Sequence, residues 1–402
     1  MIPLEEAQKY VLGSVSQLSN ETLGIGSACS YVTAEEVRSG ELVPPFDNTA
    51  VDGYAVTAAD TTGASESNEV ELKVIGSIAA GTQPDFEIQS GLTAKIMTGA
   101  PLPKGADAVV MVEWTNANEG GGVVYINKSV KVGDHIRKSG EDLRPGDEVI
   151  GEGTLLTPAH IGLLAGIGVY QIKAVRRPLI GVFSTGDELV EGSQALRPGQ
   201  IRDSNRFSLI ALLERDGFET MDLGLIADTK QAIESTVLEG VEKCDALLTT
   251  GGVSMGDYDY VRVVLDEVGD MRWMQIAIKP AKPFAFGLVR GVPVFGLPGN
   301  PVSSMVSYLL LAKPALYKMM GRKNVFPDYL VGEAADDFRR RIDGKTHFVR
   351  ASLQRERDLT LINPVGKQGS HQLSGMAAAD TLAVVPDGEG IAKGSSIEYF
   401  RF

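Results

Sequence analysis

Short apolar runs alternate with helix-periodic segments through the middle of the chain. Leu179 to Ser184 (LIGVFS) is almost wholly apolar and runs into Thr-Gly-Asp-Glu-Leu at 185–189, so it reads as a buried strand leaving into a turn. Phe207, Leu209, Ile210 and Leu213 fit one helix, with Ser204 as its N-cap. A strand over 220–226 ends at Asp228, and Ile233, Val237 and Val241 recur every fourth residue, which predicts a helix with one apolar face. The next strand is 246–250, and Val261, Val264, Leu265 and Val268 mark the next helix. Three strands follow, at 271–278, 283–289 and 292–298, and then a long helix from Asn300 to Met320. Strands alternating with helices predict an α/β domain on a parallel sheet, with ligands outside the carboxyl ends of its strands.

The flanking segments read differently. Leu4, Ala7, Val11, Leu12, Val15 and Leu18 predict an amphipathic N-terminal helix, with Pro3 in its first turn. Thr33-Ala-Glu-Glu has capping-box spacing and predicts a short helical turn. Between Val70 and Val149 the pattern alternates and is broken by Gly and Pro, predicting a small all-β domain closed by Gly140 to Ile150. Leu155 to Val169 is expected to be a helix carrying the chain onward. After Phe326-Pro-Asp the strand pattern returns without long helices, predicting a small barrel or sandwich.

Composition narrows the class. At 402 residues about two to four domains are expected. A net charge of −14 argues against nucleic acid or an acidic membrane face, so an anionic substrate has to meet local cations. The two cysteines, Cys29 and Cys244, form no zinc or disulfide spacing, and no apolar run is long enough to span a membrane. The expected location is cytoplasmic.

The chemistry concentrates at turns. Leu247 to Asp259 (LLTTGGVSMGDYD) is an apolar strand ending at Gly251-Gly252, a turn that exposes backbone N–H groups to a phosphate, with Ser254 and the acids Asp257 and Asp259 beside it. Asp187, Glu188, Asp228, Asp257 and Asp259 all follow predicted strand ends, which would gather carboxylates at one rim. Taken singly, each is better read as a turn residue or helix cap; their common placement after strand ends is what favours a functional reading. Ile278-Lys-Pro-Ala-Lys-Pro283 holds two lysines on a proline-stiffened segment, as an oxyanion requires in an acidic protein; otherwise it is a basic surface turn. Gly296-Leu-Pro-Gly-Asn-Pro301-Val-Ser-Ser leads a strand into a helix, with Asn300 at the N-cap and Pro301 in the first turn, and with Ser303 able to face an oxyanion. A dinucleotide fingerprint, a Walker motif and a Gly-x-Ser-x-Gly elbow are all missing: Gly344-Lys-Thr lacks its upstream glycine, since position 339 is Arg. Four scattered histidines make no metal site.

With these residues the sequence resembles the molybdopterin molybdenumtransferase family of bacterial MoeA type, which is similar to the E domains of gephyrin and the plant Cnx proteins. The resemblance rests on Asp47-Asn-Thr-Ala-Val-Asp-Gly-Tyr-Ala55, Ile96-Met-Thr-Gly-Ala-Pro101, Gly140-Glu-Asp142, Ser184-Thr-Gly-Asp-Glu-Leu189, Thr250-Gly-Gly-Val-Ser-Met-Gly256 with Asp259, the lysine–proline run, Leu297-Pro-Gly-Asn-Pro-Val-Ser303 and Gln368-Gly-Ser-His371. It implies an α/β multidomain fold: a parallel-sheet domain of molybdopterin-adenylyltransferase type, an N-terminal linker-like domain, a small all-β domain and a C-terminal β-barrel. The boundaries it suggests are 1–26 for a helix packing on the α/β domain, 27–45 with 147–176 for the linker domain, 46–146 for the β domain, 177–326 for the α/β domain and 327–402 for the barrel.

The resemblance further implies a homodimer that inserts molybdate into adenylylated molybdopterin, with Mg²⁺-dependent release of AMP, its cleft shared between subunits. A transient contact with the adenylyltransferase of the preceding step is also expected. Carried over residue by residue, the catalytic positions are Asp52, Thr98, Asp142, Glu188, Asp228, Asp259 and Lys279, with Glu188, Asp228 and Asp259 as Mg²⁺ candidates. Ser184, Gly251, Gly252, Ser254, Pro298 and Pro301 are expected on the substrate. Lys282, Pro283, Ser303, Arg350 and Ser370 are expected on molybdate. The chain departs from the family pattern at Gln275, where a basic residue is common, at Ala281, where Gly is usual, and at Thr49 and Val51. The glycine turn alone also suits an adenylyltransferase on the same fold. A scaffold role would leave the lysines at the rim without purpose.

Overall fold

The structure is a computed structural model and describes residues 1–117, 122–252 and 260–402. It divides into two compact units, Met1–Glu35, Glu152–Ile161 and Gln171–Phe402 forming one and Glu36–Gly151 with Gly162–Tyr170 the other.

The larger unit holds a six-stranded sheet in the order Glu219–Ile226, Leu179–Thr185, Ala246–Thr250, Val292–Leu297, Pro283–Val289, Asp270–Gln275. The first four strands are parallel. Pro283–Val289 runs antiparallel to both of its neighbours, so the sheet is not parallel throughout. The reason is connection length. Only Arg290 and Gly291 join Pro283–Val289 to Val292–Leu297, both at positive φ (50° and 84°). Two residues make a hairpin, whereas a parallel partner needs a crossover of about a dozen or more.

Side chains alternate across this sheet. Ile180, Val182, Leu248 and Phe295 face one core with Leu209, Leu213, Val302 and Val306; Phe183, Leu247 and Val294 face another with Ile233, Val237, Val261 and Val264. Ala7 and Val11 of the helix Leu4–Gly13 join the first core, and Tyr10 meets Phe286 edge-on at 5.9 Å. The helix Lys230–Lys243 is capped by Thr229, whose hydroxyl accepts from Ala232 N. The helix Asn205–Arg215 is not capped by the Ser204 side chain; the Asp203 carboxylate accepts from Arg206 N instead, at 3.3 Å. The helix expected after Asn300 runs through Pro301–Ser307, a π turn at Tyr308–Ala312 and Lys313–Met319, and Asn300 caps it without a side-chain bond.

The last segment closes into a barrel. Thr346–Glu356 pairs with Leu359–Pro364, which pairs with Leu330–Ala334, then Ser396–Arg401, then Thr381–Val385, which returns to Thr346–Glu356. Closure removes the sheet edges that a sandwich would leave. Ile278–Lys279 adds alongside, pairing Ile278 with Thr346 and Lys279 with His347. The barrel residues Phe348, Leu382 and Phe400 share the core of the α/β sheet.

The turn expected at Thr33-Ala-Glu-Glu is absent. Val32–Thr33 is a strand beside Gln171–Val175, and the Thr33 hydroxyl is used up on the Thr154 backbone rather than on a cap. The helix expected over 155–169 is confined to Pro158–Gly166.

In the smaller unit six strands order as Ala108–Met111, Gly53–Val56, Leu92–Ile96, Val70–Ile78, Val123–Ile126, Thr115–Ala117. A Cβ at Gly53 would stand 2.0 Å from Val110 O, so the backbones meet only because position 53 is glycine. Glu148–Ile150 pairs with Val37–Arg38 and lies outside this sheet, so the segment expected to close the β domain belongs to a separate ribbon. No helix among the described residues is long and apolar enough to cross a membrane.

Candidate active site

In the smaller unit the sheet register sets one pair. Gly53 lies opposite Ile96, so Asp52, just before its strand, meets Thr98, two residues beyond the partner strand. Thr98 donates both its N–H (2.7 Å) and its hydroxyl (2.8 Å) to Asp52 Oδ1. The backbone bond first, and then the hydroxyl, hold the Asp52 carboxyl below the ordinary carboxylate range, so it is a fixed, exposed anion. Asp142 sits in another loop of this unit, anchored through its N–H to Val43 O.

At the carboxyl rim of the α/β sheet, Thr185 donates to Asp228 at 3.3 Å. Burial raises the Asp228 pKa, and the charges of Asp187 and Glu188 raise it further against the Thr185 bond. Mutually repelling carboxylates at one rim suit a cation. No group of three or more His, Cys, Asp or Glu side chains poised for a metal occurs among the described residues. Asp259, expected as a further ligand, and Ser254 both lie outside the described residues, as does Asp257.

The glycine turn is built by steric necessity up to Gly252. Gly251 has φ +94°, and a Cβ there would lie 2.6 Å from Thr185 O. Ser184 is wholly buried and donates to Asp203 at 3.1 Å. Asn205 ties the glycine turn to the proline–glycine turn, donating to Thr250 Oγ1 (2.6 Å) and Gly299 O (2.7 Å). Pro298 is buried beneath that second turn and Pro301 opens its helix.

Within the same unit a cleft of about 1320 Å³ gathers Lys279, Lys282, Pro283, Ser303 and Ser370, together with Asn300, Gln368 and Gly369. Strand pairing beside the barrel brings in the lysine–proline turn, and Val302 N donates to Ser370 O at 3.1 Å, docking the Ser370 loop on the helix start. Lys279 and Lys282 are exposed, and neither ammonium has a hydrogen-bonding or ion-pair partner among the described residues. Ala281 between them has φ +77°, a left-handed conformation that glycine adopts without a Cβ penalty.

Arg350 is not on the cleft wall. It is 1% exposed, and its guanidinium donates to Gln368 Oε1 and to the carbonyls of Lys367, Gly369 and Gln372. No carboxylate within ion-pair distance is found among the described residues, and burial pushes its pKa down. It acts as the strut of the loop that carries Ser370.

Sequence reasoning missed two clusters. Arg206, 1% exposed, is bound by Asp203, Glu191 and Asp222 below the rim. On the cleft wall, Arg340 clamps Asp343 (2.7 Å) and Asp387 (2.5 Å), and Asp343 also holds Lys345 and His347. The available signals were Asp203 and Arg206 three apart at a helix start, and a basic run at 339–341 in an acidic chain.

Three family descriptions tile this sequence: the MoeA N-terminal region (domain I and II) at residues 2–168, a probable molybdopterin binding domain at 181–318, and the MoeA C-terminal region (domain IV) at 332–402. The molybdopterin molybdenumtransferase of Haemophilus influenzae is 36% identical over 393 residues, 97% of this chain and 96% of that protein. The chain belongs to the molybdopterin molybdenumtransferase family. A second member, from Bacillus subtilis, is 34% identical over 99% of this chain and 93% of its own length. The crystal structure of the molybdopterin biosynthesis MoeA protein from Pyrococcus horikoshii OT3 matches at a TM-score of 0.84 and 30% identity, covering 100% of both chains. The family fold accounts for the α/β domain, the N-terminal domains and the closed C-terminal barrel described above.

Proposed function

We propose that the chain is a transferase of molybdenum cofactor biosynthesis that inserts molybdate into the ene-dithiol of adenylylated molybdopterin and releases AMP. The observation that carries this reading is the cleft, lined by Ser303, Ser370 and two lysines whose ammonium groups have no partner among the described residues. In a protein of net charge −14 such a site selects a small dianion. Its volume lies above that of common ligand clefts, roughly 300–1,000 Å³, so an organic substrate fits beside the oxyanion.

Lys282, Ser303 and Ser370 hold the oxyanion against Pro283. Lys279 neutralises charge where substrate and oxyanion meet. Arg350 sets the loop and lends its unpaired charge from behind. Ser184, Gly251, Gly252, Ser254, Pro298 and Pro301 form the substrate floor at the sheet rim. Glu188 and Asp228, with Asp259, would hold Mg²⁺, whose charge would offset that developing as the phosphoanhydride opens. Asp52, Thr98 and Asp142 belong to the catalytic set, supplied by the partner subunit of a cytoplasmic homodimer. Handover from the preceding adenylyltransferase completes the reading.

The test is AMP release and cofactor formation from adenylylated molybdopterin, with and without molybdate. Asp228→Ala is expected to abolish AMP release, and a wild-type rate removes that acid from the chemistry. ATP consumption with free molybdopterin would instead mark an adenylyltransferase.

A further inference from the structure

Insertion is also a proton-transfer problem. When an ene-dithiol takes up molybdate, two S–H bonds and one molybdenum–oxygen linkage break and two molybdenum–sulfur bonds form. The displaced oxygen leaves as water carrying both thiol protons, and molybdenum keeps its oxidation state. Lysines hold the anion but are poor proton acceptors near neutral pH. A group that can accept and return a proton is needed at the same wall.

His347 is that group by position. It lines the cleft with Lys279 and Lys282, and strand register sets it directly beside Lys279. Its Nε2 lies 3.2 and 3.1 Å from the two Asp343 oxygens. Burial works against the Asp343 carboxylate, but bonds from His347 and Lys345 outweigh it and hold its pKa low. An ionised carboxylate only accepts, so Nε2 carries the hydrogen and Nδ1 is left as the acceptor. Nδ1 has no partner among the described residues and is not sealed from solvent. Charge balance does not require this histidine, because Asp343 already has Arg340 at 2.7 Å and Lys345 at 3.2 Å.

We propose that His347, oriented by Asp343, takes a proton from the substrate dithiol and delivers it to the departing molybdate oxygen. The proposal rests on the insertion reading above. The charged groups facing the ring are Asp343 and Arg340 on the loop before its strand and Lys279 on the adjoining strand, with Lys345 bound to the same Asp343. Burial lowers the His347 pKa, Arg340 and Lys279 lower it further, and Asp343 opposes them. The ring is therefore neutral at neutral pH and ready to accept.

The experiment follows molybdate-dependent cofactor formation by the full-length protein over about pH 5 to 9. His347→Gln is expected to lower kcat by about 100-fold, with KM for molybdate within about twofold, and to erase the acid limb of the profile. Asp343→Asn is expected to move that limb to lower pH, because loss of the anion favours neutral imidazole. His347→Gly should recover rate with added imidazole, which a merely structural role would not produce. A wild-type kcat and acid limb in His347→Gln, or no imidazole rescue, overturns the proposal while leaving insertion intact. Absence of molybdate-dependent product from the wild-type protein overturns both.

Discussion

Replacing Arg350 by Met separates a strut from a ligand. The native guanidinium makes four side-chain bonds, to Gln368 Oε1 and to the carbonyls of Lys367, Gly369 and Gln372. Hydrogen bonds from a charged donor contribute about 1.5–3 kcal/mol each when removed singly. The full sum does not apply, because the loop carbonyls are partly exposed and recover water, and because methionine removes a guanidinium whose burial is itself costly. The net loss is expected at about 2–4 kcal/mol. Urea denaturation reads it as a lower midpoint at unchanged slope. Arg350→Lys keeps the charge and loses the fork, so it should recover no more than about half of that loss. KM for molybdate should rise in both variants, since the Ser370 loop is no longer latched. A stability loss below about 1 kcal/mol with a large KM effect would mean that Arg350 binds the anion directly and that the strut argument is wrong.

Asp228→Asn should raise the melting temperature at neutral pH. The folded-state pKa of Asp228 is raised, so its contribution to stability is present below the unfolded value and lost as pH rises through the folded one. The gain should shrink in acid, and added Mg²⁺ should stabilise the wild type more than the variant; the reverse order in thermal melts would refute the repelling-carboxylate reading. Arg206→Met leaves Asp203 buried without its cation and should cost about 3–5 kcal/mol in chemical denaturation, with at least half recovered in Asp203→Leu/Arg206→Met. Ala281→Val places a β-branched side chain at φ +77° in the core and should destabilise by more than about 2 kcal/mol. Ala281→Gly should stay within about 1 kcal/mol, because strain relief is offset by the lost methyl burial and by glycine's chain entropy.

The alternation of strands and helices from Leu179 to Leu297 was legible because the central strands Leu179–Thr185, Ala246–Thr250, Pro283–Val289 and Val292–Leu297 are mostly apolar runs, and helices such as Lys230–Lys243 carry one apolar stripe. The closed barrel was legible only as a set of strands, since closure depends on Thr381–Val385 pairing back to Thr346–Glu356, a long-range choice with no local signal. Thr33 misled because a capping box is a local preference, and the Thr154 backbone, 121 residues away in sequence, took its hydroxyl. Motif strings named Lys279, Lys282, Ser303 and Ser370, and packing brought them to one cleft.

By itself, the sequence determined where chain reversals fall and which residue types stand at the strand ends, because those follow from backbone sterics and period. It also carried the family, because the motif strings occur in order along nearly the whole chain. Only the tertiary structure decided what each polar group faces. Arg350 turns from the cleft into a cage of carbonyls, and Arg206 goes beneath the rim among three carboxylates. His347, unremarkable in the sequence, reaches the cleft wall because barrel closure and the Lys279 pairing bring it there. Burial and partner geometry are properties of contacts between distant segments, so no local reading of the chain contains them.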